Sequence, residues 1–186
     1  MHYETVIGLE IHVQLATRSK AFCADNASFG GTPNTHTSIV SLAHPGTLPR
    51  LNKKAIEYAV RLGLALGCDI NPRSTFDRKN YFYADLPKGF QTTQQNSPIC
   101  VNGRLTVHGT RFTVDGTRFT IHGEEPSTVN RQPCTVRLHH IHLEEDAGKS
   151  LHDQDPHDSL IDLNRAGVPL LEIVTEPDLR SAEEVA

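Results

Sequence analysis

The sequence predicts an α+β fold, and three observations carry that prediction. Residues 6–15, VIGLEIHVQL, alternate apolar and polar, the period of a half-buried strand. Residues 98–122 contain Asn102-Gly103 and Asp115-Gly116, the dipeptides that most favour tight hairpins, and read as an antiparallel meander. Residues 53–66 hold the one long stretch of helical periodicity, so hairpins sit beside a single long helix.

Taken in order, the first strand places Ile7, Leu9, Ile11, Val13 and Leu15 on a face that should enter a core. Its other face presents Glu10 and His12 two residues apart, where they can share a metal ion or a proton. Residues 16–50 are rich in Gly, Pro, Thr and Asn and read as a long irregular segment. Asn52 is placed to cap the helix, and Ile56, Ala59, Val60, Gly63 and Leu64 give it an apolar face. Gly67 is placed to end it in the left-handed conformation. Residues 73–91 interleave Arg78, Lys79 and Lys88 with Phe76, Tyr81, Phe82 and Tyr83, a mixture suited to phosphate or an RNA end or to a surface loop held by its aromatics.

In the meander, a two-residue turn at Asp115-Gly116 sets Val114 opposite Thr117 and Phe112 opposite Phe119, with Arg111 and Arg118 on the other face. Residues 123–133 read as a loop. Residues 134–143 form a strand candidate that runs into Glu144, Glu145 and Asp146. Strict alternation puts His140, His142 and Glu144 on one face and Ile141, Leu143 and Glu145 on the other, so the two glutamates converge only if the strand ends or bulges there. Residues 159–165 and 169–175 are two more strands, expected to be neighbours across a short linker. Ser181 and Glu184 form a capping box that starts a helix near Ala182. The chain stops about one turn later, and one turn is not stable alone, so the sequence is expected to be part of a longer protein.

Composition narrows the function. At 186 residues with 37% hydrophobic and 22% charged, this is a globular chain, and a formal charge of -4 argues against a broad basic face for nucleic acid. With no Trp and 6% aromatics, a base-stacking platform is not expected. The four cysteines are scattered and no signal peptide precedes them, so reduced thiols are expected. No stretch reaches the roughly 20 apolar residues of a membrane span.

Gly148-Lys149-Ser150 is not a P-loop, because Leu143 stands where the first Gly is needed and three acids stand where phosphate must approach. Three adjacent carboxylates repel, and a hard cation such as Mg²⁺ or Mn²⁺ relieves that cost, although acid runs also sit at wetted turns. His140, His142 and Glu144 leave open a zinc or iron site in a hydrolase or oxygenase. A non-catalytic module that binds a partner protein is a third alternative.

Five ordered strings, VIGLEIHVQL, HPGTLPRLNKKAIEYAVRLGLAL, FDRKNYFYADLPKGFQ, HLEEDAGKS and DLNRAGVPLLEIVTEPDLRSAEE, are spread in order from residue 6 to residue 184, and only the 101–133 region is nondescript. Together they resemble the N-terminal part of the B-type subunit of the glutamyl-tRNA(Gln)/aspartyl-tRNA(Asn) amidotransferases. The resemblance implies that residues 1–186 are the first part of a catalytic cradle domain resembling glutamine synthetase, a mainly antiparallel twisted sheet with flanking helices. It implies an ATP- and Mg²⁺-dependent ligase. The enzyme phosphorylates the side-chain carboxylate of a misacylated Glu or Asp on tRNA and then amidates it with ammonia. Ammonia comes from a separate amidase subunit, the A-type, and a small C-type subunit joins the two in a heterotrimer. Such an enzyme is cytoplasmic, or lies in an organelle's stroma or matrix, and is not membrane-bound.

Residue by residue, the resemblance makes Glu10, His12, Glu144 and Glu145 metal ligands. Lys79, Lys88 and Glu145 become catalytic, with Arg78 and Lys79 toward ATP. Tyr81, Asn164 and Arg165 are expected near the tRNA end, with Asp146 beside the site. Some relatives hold a structural zinc with four cysteines. Here only Cys23 remains, with Asp25, Ser38 and Ser41 at the other positions, and no structural zinc is expected. The segment alone is expected to lack full activity.

Overall fold

The computed structural model describes residues 2–108, 111–114, 117–120 and 134–185. Its elements run β1 (Glu10–Gln14), α1 (Lys53–Ala65), β2 (Asp69–Ile70), β3 (Asp77–Asn80), β4 (Phe90–Thr93) and β5 (Cys100–Val101). They continue as β6 (Arg104–His108), β7 (Arg111–Val114), β8 (Thr117–Thr120), β9 (Cys134–Glu145), β10 (Lys149–Leu151), β11 (Leu160–Asp162), β12 (Pro169–Thr175) and α2 (Ala182–Val185). The main sheet runs β1-β12-β9-β6-β7-β8, with β5 and β2 attached at β9, and its pairings are antiparallel. This is a sheet-rich α+β fold with one long helix.

Helix α1 forms where its pattern and caps place it. The Asn52 side chain accepts from the Lys54 N–H at 2.9 Å, and Gly67 sits at φ +63°. The stripe that meets the sheet is Ala55, Ala59 and Gly63, while Leu64, expected on that face, is 57% exposed. Small residues win because the helix lies close to the sheet: a Cβ on Gly63 would meet the side chains of Cys100 and Ile70. The core is built from this stripe with Ile99, Cys100, Ile141, Leu143, Leu171 and Ile173. Burial in that core pushes the Cys100 thiol up to about 12. Among the described residues Cys23, Cys68 and Cys100 are free thiols.

Four expectations change. First, β1 is an edge strand paired with β12, and Ile11 and Val13 are 41% and 37% exposed, so the middle of its apolar face stays outside the core while Leu15, just past the strand, packs against it. Second, Asn102-Gly103 is not a hairpin turn. Cys100 pairs with Ile141 and Arg104 with Arg137 in one continuous register, so β5 and β6 run along β9 as a single line broken at Asn102. Asn102 sits at φ 61° and donates from its amide to Asp69 at 3.0 Å, and Gly103 leaves room for Cys68, so the dipeptide makes a kink for the helix exit. Third, β11 pairs with β10 in a separate ribbon, and β12 lies between β1 and β9, so the two strands are not neighbours. Fourth, β9 runs straight through Glu145, and the register shift against β12 falls at the other end, beside His139.

Other expectations hold. Phe112 pairs with Phe119 and Val114 with Thr117. Asp115-Gly116 and the 123–133 loop lie outside the described residues, as do the side chains of Arg111 and Arg118. Ser181 Oγ accepts from the Glu184 N–H at 3.3 Å, opening α2. Among the described residues no helix is long and apolar enough to cross a membrane.

Candidate functional site

The site is a patch of nine positions on one face of three strands. Pairing aligns Glu10 with Val174 and His140, then His12 with Glu172 and His142, then Gln14 with Leu170 and Glu144. Because side chains alternate across a strand, all nine point to the same side. The sheet therefore brings acids and imidazoles from residues 160 positions apart into contact. His12 Nε2 lies 3.1 Å from Glu172 Oε2 and 3.3 Å from Glu144 Oε1. His142 Nε2 faces the same two carboxylates at 3.5 and 3.6 Å.

His12, Glu144 and Glu172 are the one group of three metal-binding side chains that converge among the described residues, with ligand atoms within 4.8 Å of one another. One imidazole nitrogen and two carboxylates make a donor set that fits Mg²⁺ or Mn²⁺. Glu144 and Glu172 share the imidazoles of His12 and His142 and, among the described residues, pair with no Lys or Arg, an arrangement of adjacent carboxylates that a metal relieves. His140, His142 and Glu144 do not form such a set: His140 Nε2 and His142 Nδ1 are 3.0 Å apart and bonded to each other.

The patch floors an open cleft of about 610 Å³. Glu10, His12, Gln14, Glu144 and Glu172 line it from the main sheet, and Lys79, Tyr81 and Gln91 from the β3–β4 ribbon. Asp146 stands at its rim, accepting from the Gln14 amide at 2.5 Å. Lys79 is thus the cation of the cleft wall. Partial burial, followed by the charges of Glu144, Asp85, Glu145 and Asp146, raises the Tyr81 hydroxyl above its usual range, so it stays a neutral donor.

Other expected residues lie elsewhere. Glu145 points to the opposite face, where Oε1 pairs with the Lys88 ammonium and accepts from the Thr92 N–H at 3.0 Å. Lys88 also rests over the rings of Phe90 and Phe22 at 4.9 and 5.5 Å. Arg78 is exposed and stacks over Phe90 at 4.7 Å. Asn164 is buried, donating to the Thr32 carbonyl and accepting from the His36 N–H at 2.8 Å each. Arg165 holds the carbonyls of Ala147 and Gly148, bracing the turn after Glu145. Phe82 and Tyr83 are exposed at the ribbon tip rather than anchoring it.

Cys23, Asp25, Ser38 and Ser41 do come together. Ser41 Oγ donates to Asp25 at 2.5 Å and accepts from the Ser38 N–H at 2.9 Å. Burial, then hydrogen bonding and the Asp25 charge, pushes the Cys23 thiol up to about 11.

Two residues escape sequence reasoning. Glu172 reads as a lone acid in an apolar strand, and its only signal is the polar parity of PLLEIVT. Lys20 is fully buried, donating to the Leu163 carbonyl at 3.3 Å, and burial lowers its pKa. Nothing in the loop sequence around Lys20 marks it.

Residues 5–186 match a family model described as the GatB/GatE catalytic domain. The chain is 52% identical over 187 residues to the B subunit of the aspartyl/glutamyl-tRNA(Asn/Gln) amidotransferase of Agathobacter rectalis, covering 99% of this chain and 34% of that protein. It is 54% identical over 183 residues to the protein of the same name from Anaeromyxobacter dehalogenans strain 2CP-1, covering 98% and 34%. The Myxococcus xanthus protein of that name is 52% identical over 182 residues, with the same shares. The chain thus spans about a third of the length of the curated relatives it matches.

Proposed function

The chain belongs to the GatB/GatE catalytic-domain family, and from that premise we propose that it forms the first part of the cradle domain of a tRNA-dependent amidotransferase. The reaction is amidation of misacylated Glu-tRNA(Gln), Asp-tRNA(Asn) or both. ATP phosphorylates the side-chain carboxylate, and ammonia then displaces phosphate. The observation that carries this is the convergence of His12, Glu144 and Glu172 on a cleft walled by Lys79 and Tyr81.

A carboxylate and ATP repel, so the site must offset negative charge at the point of transfer. His12, Glu144 and Glu172 would hold Mg²⁺, with Glu10 on the lining of the same cleft. When bound, the cation supplies charge neutralisation for the phosphoryl group. Lys79 adds a second positive charge from the opposite wall. Gln14 and Asp146 fix one another and thereby the rim of the cleft. Tyr81, with its ring edge-on to Tyr83 at 5.7 Å, offers an aromatic surface and a neutral hydroxyl to the terminal nucleotide of tRNA. Arg78 at the ribbon's outer side serves ATP or the tRNA backbone, and Lys88 with Glu145 serves the path of ammonia. Asn164 and Arg165 act by bracing the loops around the site. The cytoplasm, or an organelle with its own translation, is the matching location. The matching partners are the ammonia-producing amidase and the small third protein of the heterotrimer.

The test uses the full-length protein assembled with both partners. Glu144→Gln and Glu172→Gln should each lower ATP-dependent Gln-tRNA(Gln) or Asn-tRNA(Asn) formation by about 100-fold or more with assembly intact. Full activity in both variants would overturn the assignment.

A further inference from the structure

The polar face of β9 continues past the cleft. Val136 and Leu138 are buried, and so are Ile141 and Leu143, so the core side of β9 skips two residues at the register shift, His139 and His140. That extra residue keeps Thr135 and Arg137 on the same side as His142 and Glu144. β6 widens this side. Arg104 lies directly across from Arg137, and Thr106 across from Thr135 with their hydroxyls 3.2 Å apart. Arg104, Thr135 and Arg137 are exposed, and α1 packs on the core side of the sheet. As backbone positions, Thr113 and Arg118 extend the Thr106 row, and Arg111 and Thr120 follow His108 in the next. The three rows hold four Arg, four Thr and one His, with no acid and no Phe, Tyr or Trp, in a chain whose formal charge is -4.

Two acids stand at one end of this strip, Glu176 and Asp178, just past β12. Asp178 accepts from Arg137 Nε at 3.0 Å and from Nη2 at 2.6 Å, which fixes that guanidinium. Arg104 pairs with no acid among the described residues, so two like charges face each other across the strands with one acid in contact, an arrangement that a bound anion relieves.

We propose that this strip binds the phosphate backbone of the tRNA whose acylated end enters the cleft, an inference that rests on the function proposed above. Guanidinium groups grip phosphate through paired N–H donors, and Thr hydroxyls bond phosphate and sugar oxygens. The rows offer no ring on which a base could stack, so the strip meets the backbone and not the sequence. Glu144 lies seven positions beyond Arg137, one of them extra, which sets the strip about 20 Å from the cleft floor. That is the reach of a few nucleotides, and it places the arginines against phosphates upstream of the reacting end.

The test uses the full-length protein assembled with both partners and an unacylated tRNA(Gln) transcript, with affinity read by fluorescence anisotropy over a series of KCl concentrations. Arg104→Gln combined with Arg118→Gln should weaken binding by about 10-fold or more and flatten the slope of log affinity on log salt by about 2. In amidation the KM for tRNA should rise with kcat unchanged. A tRNA of different sequence should suffer the same loss. Arg61→Gln, which removes an exposed cation from α1 on the other side of the sheet, should change neither affinity nor slope. Unchanged affinity and slope in the double variant would overturn the strip, and so would an equal loss in Arg61→Gln. Poly-glutamate that binds wild type as tightly as the tRNA does, and the double variant weakly, would give the strip to an acidic protein and overturn its assignment to RNA. A wild-type complex that binds no tRNA would overturn both the strip and the function. Amidation retained in Glu144→Gln would refute the cleft assignment alone, while the arginine variants still decide the strip.

Discussion

Glu144 and Glu145 are consecutive, and β9 turns them to opposite faces with opposite surroundings. Glu144 is buried among Glu172, His12 and His142, a place with more acids than fixed cations. Glu145 is buried against Lys88, the Thr92 N–H and the rings beneath the lysine. One carboxylate is left in need of positive charge and opens to a cleft, and the other is satisfied and closed. The difference shows how a strand separates a carboxylate open to a cleft from a carboxylate held in an ion pair at no cost in chain length. Alternation decides the face, and the partner strands decide the chemistry.

The comparison breaks most sharply at Lys88. Lys88→Met removes the ion-pair partner of a carboxylate that is 3% exposed, leaving it the Thr92 N–H and the more distant charge of Lys20. Breaking a buried pair costs about 3–5 kcal/mol when nothing else meets the charge, and with these two contacts left the denaturant unfolding of the full chain should shift by about 2–4 kcal/mol. Adding Glu145→Leu should return most of it, because an apolar pair replaces an ion pair at little cost. A Lys88→Met loss below about 1 kcal/mol would mean that Glu145 is not held as described.

The opposite face should respond in the opposite sense. Glu144→Gln relieves repulsion between acids, so without divalent cation the protein should be unchanged or stabilised by up to about 1 kcal/mol. The rise in melting temperature that Mn²⁺ gives wild type should disappear in the variant, since ligand stabilisation follows affinity. Destabilisation by Glu144→Gln together with a retained Mn²⁺ shift would erase the contrast between the two faces.

How much of this is legible in the sequence follows the range of the forces. The Asn52 cap, the left-handed Gly67 and the Phe112–Phe119 pairing depend on residues a few positions apart, and each is readable. So is the parity that sets Glu10 beside His12 and His140 beside His142. Asn102-Gly103 misleads because the same backbone freedom serves a hairpin turn or a kink, and the choice is made by β9 and Cys68. Glu172 is hidden because its role comes from lying between His12 and His142, a fact about strand order that no local pattern in PLLEIVT contains. Lys20 is hidden for the same reason, its burial being the work of Gly167 and Leu163, more than 140 positions away. Glu145 is readable as a site residue only through family resemblance, and the geometry gives it to Lys88 rather than to the cluster around His12.

A smaller effect sharpens the comparison through pH. His140 lies on the Glu144 face with its Nε2 3.0 Å from His142 Nδ1, and burial followed by the neighbouring His142 and His139 lowers it from an ordinary 6.5 to about 4. In the unfolded chain it titrates near 6.5. Between those values the unfolded state binds more protons than the folded one, so stability falls as pH drops from about 6.5 toward 4 and is fully present above 6.5. His140→Phe keeps a ring over His142 and removes this titration, so its stability should fall less steeply across the same window. The measurement is the denaturant midpoint from about pH 7 to about pH 4.5 for wild type and variant. Parallel curves would place His140 in water rather than against His142. A flatter curve for His140→Phe, with the Lys88→Met loss of stability unchanged over the upper half of that range, would locate the acid sensitivity on the cleft side of β9.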